Sequence, residues 1–143
     1  MSHGPPRHSV SVAAVVVDHD RVLVIKRTDN GHWELPGGVL ELDESVEDGV
    51  RREVLEETGY RVEPERLTGV YKNMPRGIVA LVFRAQLTGG EAMTSVETAR
   101  VEWWTPEQVK AQMEEAYAVR ILDALESGPP ALRSHDGHRL LTA

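Results

Sequence analysis

Glu53, Glu56 and Glu57 stand at i, i+3 and i+4 in this 143-residue chain. On an α-helix that spacing stacks the three side chains on one face. Crowded carboxylates repel one another unless a cation sits between them. Hard divalent cations such as Mg²⁺ and Mn²⁺ take oxygen ligands, so the spacing points to metal-assisted chemistry. A solvated acidic face is the competing reading, and wheel geometry weighs against it. Val46, Val50 and Val54 fall beside Glu53 and Glu57, not opposite them. The carboxylates therefore border the buried stripe, where unpaired charge is costly. Gly49 lies one turn before Glu53 on the same face. A glycine there costs the helix roughly 0.5–1 kcal/mol against alanine. Its missing side chain leaves room either for a metal or phosphate or for a close helix–sheet contact.

The helix that must carry these residues has signals at both ends. Ser45 followed by Asp48 reads as an N-cap with an acidic residue three positions on. Gly59 is a natural stop in the left-handed conformation. Residues 46–58 are thus expected to form about three and a half turns, at 3.6 residues per turn.

Residues 38–60, GVLELDESVEDGVRREVLEETGY, fit a longer pattern. Gly38, Glu44, Arg52, Glu53, Val54, Glu56, Glu57 and Gly59 fill every fixed position of the Nudix box, and only Tyr60 departs, where an aliphatic is usual. Trp33-Glu34-Leu35-Pro36-Gly37 resembles the usual lead-in. The chain is thereby identified as resembling the Nudix hydrolases over roughly residues 9–125. The resemblance implies an α+β Nudix fold, a mixed β-sheet sandwiched between α-helices. It implies a pyrophosphohydrolase that uses Mg²⁺ or Mn²⁺ to cleave a nucleoside diphosphate linked to another moiety. It further implies that Glu56 and Glu57 ligate metal, that Glu53 ligates metal or helps activate water, and that the Gly38 carbonyl completes the shell. Glu44 and Arg52 are expected to pair and fix the loop onto the helix.

Two residues outside the box join the candidates by the same resemblance. Glu97 precedes a strand, and a glutamate in a comparable loop is a base or extra ligand in some relatives; a solvated loop glutamate is the alternative. Arg27 ends a strand facing the box loop. A basic residue near that place contacts substrate phosphate in several relatives, while a surface charge at a strand end is the alternative. The box says little about the substrate. Pro75 shifts the reading toward ADP-ribose or another nucleotide sugar, because a proline at that spacing recurs in relatives of that kind. A MutT-like nucleoside triphosphate pyrophosphohydrolase is the alternative. A non-catalytic nucleotide sensor is a further alternative, opposed by the full set of box glutamates. A homodimer is the mild preference for assembly.

The rest of the chain supplies the scaffold. Residues 1–8 read as a Pro/Gly/His arm, 9–126 as the single domain and 127–143 as a C-terminal tail whose His135 and His138 are expected to be solvated. Strands are expected at 9–17, 21–27, 33–35, 66–73, 78–87 and 100–104, with turns at 18–20 and 88–91. Thr105-Pro106-Glu107-Gln108 reads as a helix start, opening a helical region to about residue 125 with a break near Tyr117. Trp103 and Trp104 are adjacent in a strand and must face opposite ways: one into the core, the other free to stack on a base. A net charge of −7 argues against general nucleic-acid binding. No apolar run approaches the roughly 18–20 residues of a membrane span. The absence of cysteine excludes disulfides and thiol catalysis. These features together suit the cytoplasm.

Overall fold

The computed structural model describes residues 4–142. Residues 4–8 of the expected arm are exposed and lack regular structure; residues 1–3 lie outside the described residues. The chain then runs β1 (Ser9–Asp18), β2 (Arg21–Arg27), β3 (Trp33–Glu34), β4 (Gly37–Val39), α1 (Val46–Thr58), β5 (Tyr60–Asn73), β6 (Ile78–Gly90), β7 (Thr98–Trp104), α2 (Pro106–Gln112), α3 (Glu115–Ala124) and β8 (Ala131–His135). The strands of the described residues form one mixed sheet in the order β3-β2-β1-β6-β5-β8, with β4 on β1 and β7 on β2. The β1–β6 and β5–β8 pairs are parallel, and the others are antiparallel.

Alternation along β1 explains the layering. Val12, Ala14 and Val16 join Leu23, Val50 and Val54 in one buried cluster on the α1 side. Ala13 and Val15 join Val22, Val24, Val109 and Ile121 on the α2–α3 side. A strand buried on both faces reads as a continuous apolar run, which is what residues 12–16 are. The sheet is thus sandwiched between α1 and the α2–α3 pair, as expected of an α+β fold. Trp103 and Trp104 do point opposite ways, but both pack into the interior. Trp104 packs on Trp33 with ring centroids 4.7 Å apart and planes tilted by 42°, and the half-buried Trp103 meets Tyr60 edge-on at 5.5 Å and donates to its hydroxyl at 3.3 Å. Neither indole lines the cavity described below.

Local signals set the ends of α1 and α2. The Ser45 hydroxyl accepts from the Asp48 N–H, and Gly59 ends α1 at φ 80°. Thr105 and Gln108 form a reciprocal capping box on α2, with Pro106 at its first turn. The turn at His19-Asp20 has positive φ at both residues, the twist that a two-residue hairpin needs.

Other boundaries moved. β5 starts at Tyr60, immediately after the helix cap, and not at residue 66. Residues 88–90, expected to turn, instead extend β6, where Gly90 and Gly89 pair with Tyr60 and Arg61. Pairing overrides the turn preference of the two glycines. A Cβ on Gly90 would sit 2.3 Å from the Gly59 carbonyl oxygen, so the helix end and the strand end pack as bare backbone. The helical break falls at residues 113–114, before Tyr117. The expected tail is partly sheet: β8 pairs with residues 69–73 of β5, and His135 is fully buried. His138 remains exposed and pairs with Glu114.

Candidate active site

Strand β4 sets the first dimension of the site. It lies against β1 so closely that a Cβ on Gly37 would sit 2.3 Å from the Val12 carbonyl oxygen. The Gly37 N–H is thereby turned to α1 and donates to Glu57 Oε1 at 2.6 Å. A Cβ on Gly38 would lie 2.6 Å from both carboxylate oxygens of Glu53. The two glycines bring bare backbone against two of the three box glutamates.

Electrostatics follow from that enclosure. Glu57 is only 6% exposed. Burial pushes its carboxyl up to about 8, with the Gly37 N–H opposing and the neighbouring Glu53 adding to the rise. Burial likewise raises Glu53, against the pull of the Arg52 guanidinium. Among the described residues Glu57 makes no ion pair.

Arg52 organises the rest. Its Nε and Nη2 donate to Glu44 at 2.9 and 2.6 Å, and Nη1 donates to Glu53 at 2.9 Å and to Glu56 at 3.2 Å. Nη2 also reaches the Val39 carbonyl at 3.2 Å, tying the loop to the helix. The Arg52 guanidinium, with the Glu41 N–H, holds Glu44 well down, to about 2. In this arrangement no three acidic or histidine side chains among the described residues form a ready metal cage. The physical reason is visible: Arg52 bridges Glu53 to Glu56 while Glu57 turns to Gly37. The donor set still suits a hard cation, being all oxygen, partly desolvated and rich in negative charge.

Gly49 does not leave space for a ligand. A Cβ there would meet Leu40 Cδ1 at 2.6 Å and Glu44 Oε1 at 3.1 Å, so the gap is filled by the loop before α1. Pro75 sits in the turn between β5 and β6, outside the lining of the cavity described next.

Gly37 and Gly38 open onto a cavity of about 220 Å³ on the sheet face under α3. Ala13, Leu35 and Ile78 supply apolar walls; Arg27, Glu34, Asn73, Tyr117 and Arg120 supply polar groups. Arg27 is engaged by Asp29 at 2.8 Å and by Glu34 at 3.1 Å. Glu97 lies apart from the box glutamates, in a neighbouring cleft shared with Arg27, Thr28 and Asp29. Its carbonyl accepts from the Thr28 N–H, pinning the loop to the end of β2.

Sequence reasoning missed Asn73, Tyr117 and Arg120. Arg120 had a signal. It falls four residues from both Ala116 and Ala124, on the buried stripe of α3, where a solvent-facing arginine does not belong.

Comparison with known proteins adds independent findings. The family model described as a NUDIX domain matches residues 6–125. A MutT-like protein from Streptomyces ambofaciens is 62% identical over 140 residues, covering 97% of this chain and 91% of that one. A putative 8-oxo-dGTP diphosphatase from Bacillus subtilis is 38% identical over 93 residues, covering 64% of this chain and 62% of that one. Among solved structures, an ADP-ribose pyrophosphatase from Streptococcus suis superposes with a TM-score of 0.72 at 26% identity, covering 89% of this chain and 98% of the other.

Proposed function

The chain belongs to the Nudix hydrolase family, and on that premise we propose that it cleaves the phosphoric anhydride bond of a nucleoside diphosphate derivative with a divalent metal bound beside α1. One observation carries the reading. The glycines that line the cavity are the same two that press on Glu53 and Glu57. None of the three box glutamates lines the cavity itself, so a substrate there would be separated from Glu53 and Glu57 by the bare backbone of Gly37 and Gly38.

Glu53, Glu56 and Glu57 would hold Mg²⁺ or Mn²⁺, joined by the Gly38 carbonyl. When bound, the cation would neutralise phosphate charge and make a coordinated water more acidic. Arg52 would surrender its Nη1 contacts to Glu53 and Glu56 while its fork on Glu44 keeps the loop docked. Arg27, at the cavity edge, would exchange Asp29 or Glu34 for a substrate phosphate. Glu97 would approach from the adjacent cleft as the base.

The relatives divide on the group beyond the diphosphate. Similarity to the putative 8-oxo-dGTP diphosphatase from Bacillus subtilis favours a nucleoside triphosphate. A nucleotide sugar such as ADP-ribose is the second reading, favoured by the likeness to the Streptococcus suis structure. Turnover of 8-oxo-dGTP, unmodified nucleoside triphosphates and ADP-ribose, with phosphate release coupled to added pyrophosphatase or phosphatase, tests both. Mg²⁺-dependent turnover that chelator abolishes is expected. Turnover that survives thorough chelation would defeat the reading.

A further inference from the structure

Arg120 is an enclosed cation that makes no ion pair among the described residues, with Glu34 on the same cavity wall acting on its charge from farther off. Its Nε is fully buried and has no hydrogen-bond partner among the described residues. Its Nη2 lies 3.1 Å from His135 Nε2, while the other ring nitrogen of His135 accepts from the Gly137 N–H at 2.9 Å. A neutral imidazole offers one acceptor nitrogen. Two donors thus face one lone pair, and one of them goes unserved. Burial, with the Arg120 charge, holds His135 below its ordinary value, so the ring is neutral at neutral pH. The guanidinium rests 5.3 Å from the Tyr71 ring and 5.0 Å from the Tyr117 ring. Those faces attract a cation but accept little in the way of hydrogen bonds. No carboxylate forms an ion pair with it among the described residues. Buried donors left unmade are expensive, more so when charged. Arg120 nonetheless lines the cavity beside Gly37 and Gly38.

Asn73 makes the same wall donor-rich. It is 8% exposed, and its Oδ1 accepts from the Arg76 N–H at 3.3 Å. Its Nδ2 has no acceptor among the described residues. A ligand that completes this wall must present acceptors. It must also have flat apolar faces, to suit Ala13, Leu35 and Ile78.

We propose that Arg120 is the specificity-determining residue of this site, donating to the carbonyl edge of a 6-oxo-purine base. This rests on the nucleotide reading above and narrows it. Guanine presents O6 and N7 as adjacent acceptors, the pair that an arginine fork matches, whereas adenine places an amino donor at position 6. Adenine keeps N7 as an acceptor but sets its 6-amino donor against the Arg120 guanidinium, so one of the two bonds of the fork is lost. The diphosphate would then run toward Gly37, Gly38 and the box glutamates.

Calorimetric binding of GDP, IDP and ADP, each with Mg²⁺, to the wild type and to R120M and R120K tests this without requiring turnover. IDP keeps O6 and N7 and lacks the 2-amino group, so it isolates the edge at issue. Wild type should bind GDP and IDP roughly ten- to a hundredfold more tightly than ADP, the discrimination of one bidentate pair. R120M should lose most of that preference while its melting temperature holds or rises, since an unpaired buried charge has been removed. R120K keeps the charge without the fork and should also lose the preference. Equal wild-type affinity for the three, a preference that survives both variants, or no binding of any of the three would overturn the proposal. So would an equal loss for every base, which would place Arg120 on phosphate instead. Arg120-dependent base preference without hydrolysis of any nucleotide would uphold this inference and defeat the catalytic one. Metal-dependent hydrolysis with no base preference would do the reverse.

Discussion

Gly38 and Glu53 are packed so closely that no side chain fits between them: a Cβ at position 38 would lie 2.6 Å from both carboxylate oxygens. The contact joins β4 to α1. Gly38→Ala should therefore push the Glu53 carboxylate off its position, with little loss of stability because that carboxylate is the end of a flexible side chain. Metal affinity and turnover should fall while the melting temperature stays near that of the wild type. Mg²⁺ affinity equal to wild type in this variant would show that Glu53 position does not matter to the metal.

Arg52 makes a second testable link. Its fork on Glu44 and its single nitrogen on Glu53 and Glu56 tie the loop and two box glutamates to one guanidinium. Arg52→Ala should lower activity by about 10–100-fold, the usual effect of losing a partner that orients ligands. It should also lower the melting temperature, because Glu44 and the Val39 carbonyl lose their donor. A structure of a substrate complex that places Arg52 on phosphate and away from Glu44 would refute this division of labour.

The legible parts of the molecule were those decided locally. Ser45 and Gly59 bound α1 because caps act over a single turn, and Thr105 with Gln108 did the same for α2. The Glu44–Arg52 pair was legible because the box spaces it eight residues apart across one loop. The parts that resisted are set by partners distant in sequence. β8 exists because residues 69–73 offer it a sheet edge, and nothing within residues 127–143 announces that. The turn chemistry of Thr88-Gly89-Gly90 lost to pairing with Tyr60 and Arg61. Gly49 was ambiguous because its neighbour across the gap, Leu40, comes from a loop of no regular structure. Arg120 was passed over because a single arginine in a helix is read as solvated unless its place on the apolar stripe is checked.

Glu57 should couple stability to pH in the metal-free protein. Its carboxyl is raised from an ordinary 4.5 to about 8, so the folded chain keeps a proton that the unfolded chain has released. That contribution is fully present below the ordinary value and is lost as pH rises through the folded one. The melting temperature measured with chelator should accordingly fall between about pH 5 and pH 8. Metal must displace this proton, so Mg²⁺ affinity should rise over the same window. His135 is lowered by burial and acts with the opposite sign, so comparison with Glu57→Gln isolates the glutamate. The variant should show a flatter decline and a flatter affinity curve. An unchanged pH dependence in Glu57→Gln would assign the effect elsewhere.

The division between helix and loop glutamates yields the most discriminating set of variants. Glutamine at 56 or 57 removes a negative ligand and nearly preserves shape. Cation affinity depends on the number of charged oxygen ligands, so each variant should bind Mg²⁺ at least about tenfold more weakly and lose turnover with it. Glu57→Gln should be the more severe of the two, because Glu57 is buried against Gly37 while Glu56 is exposed and already shared with Arg52. Glu97 lies in the neighbouring cleft beside Arg27 and should behave differently. If it removes the proton from the attacking water, Glu97→Gln should lower kcat by about 10²–10⁴-fold with metal affinity nearly intact. Metal titration and kcat for the three variants separate the roles, because a ligand moves both quantities and a base moves one. Wild-type turnover in Glu97→Gln would remove Glu97 from the reaction and return proton removal to Glu53, whose carboxyl is already raised by burial beside Gly38.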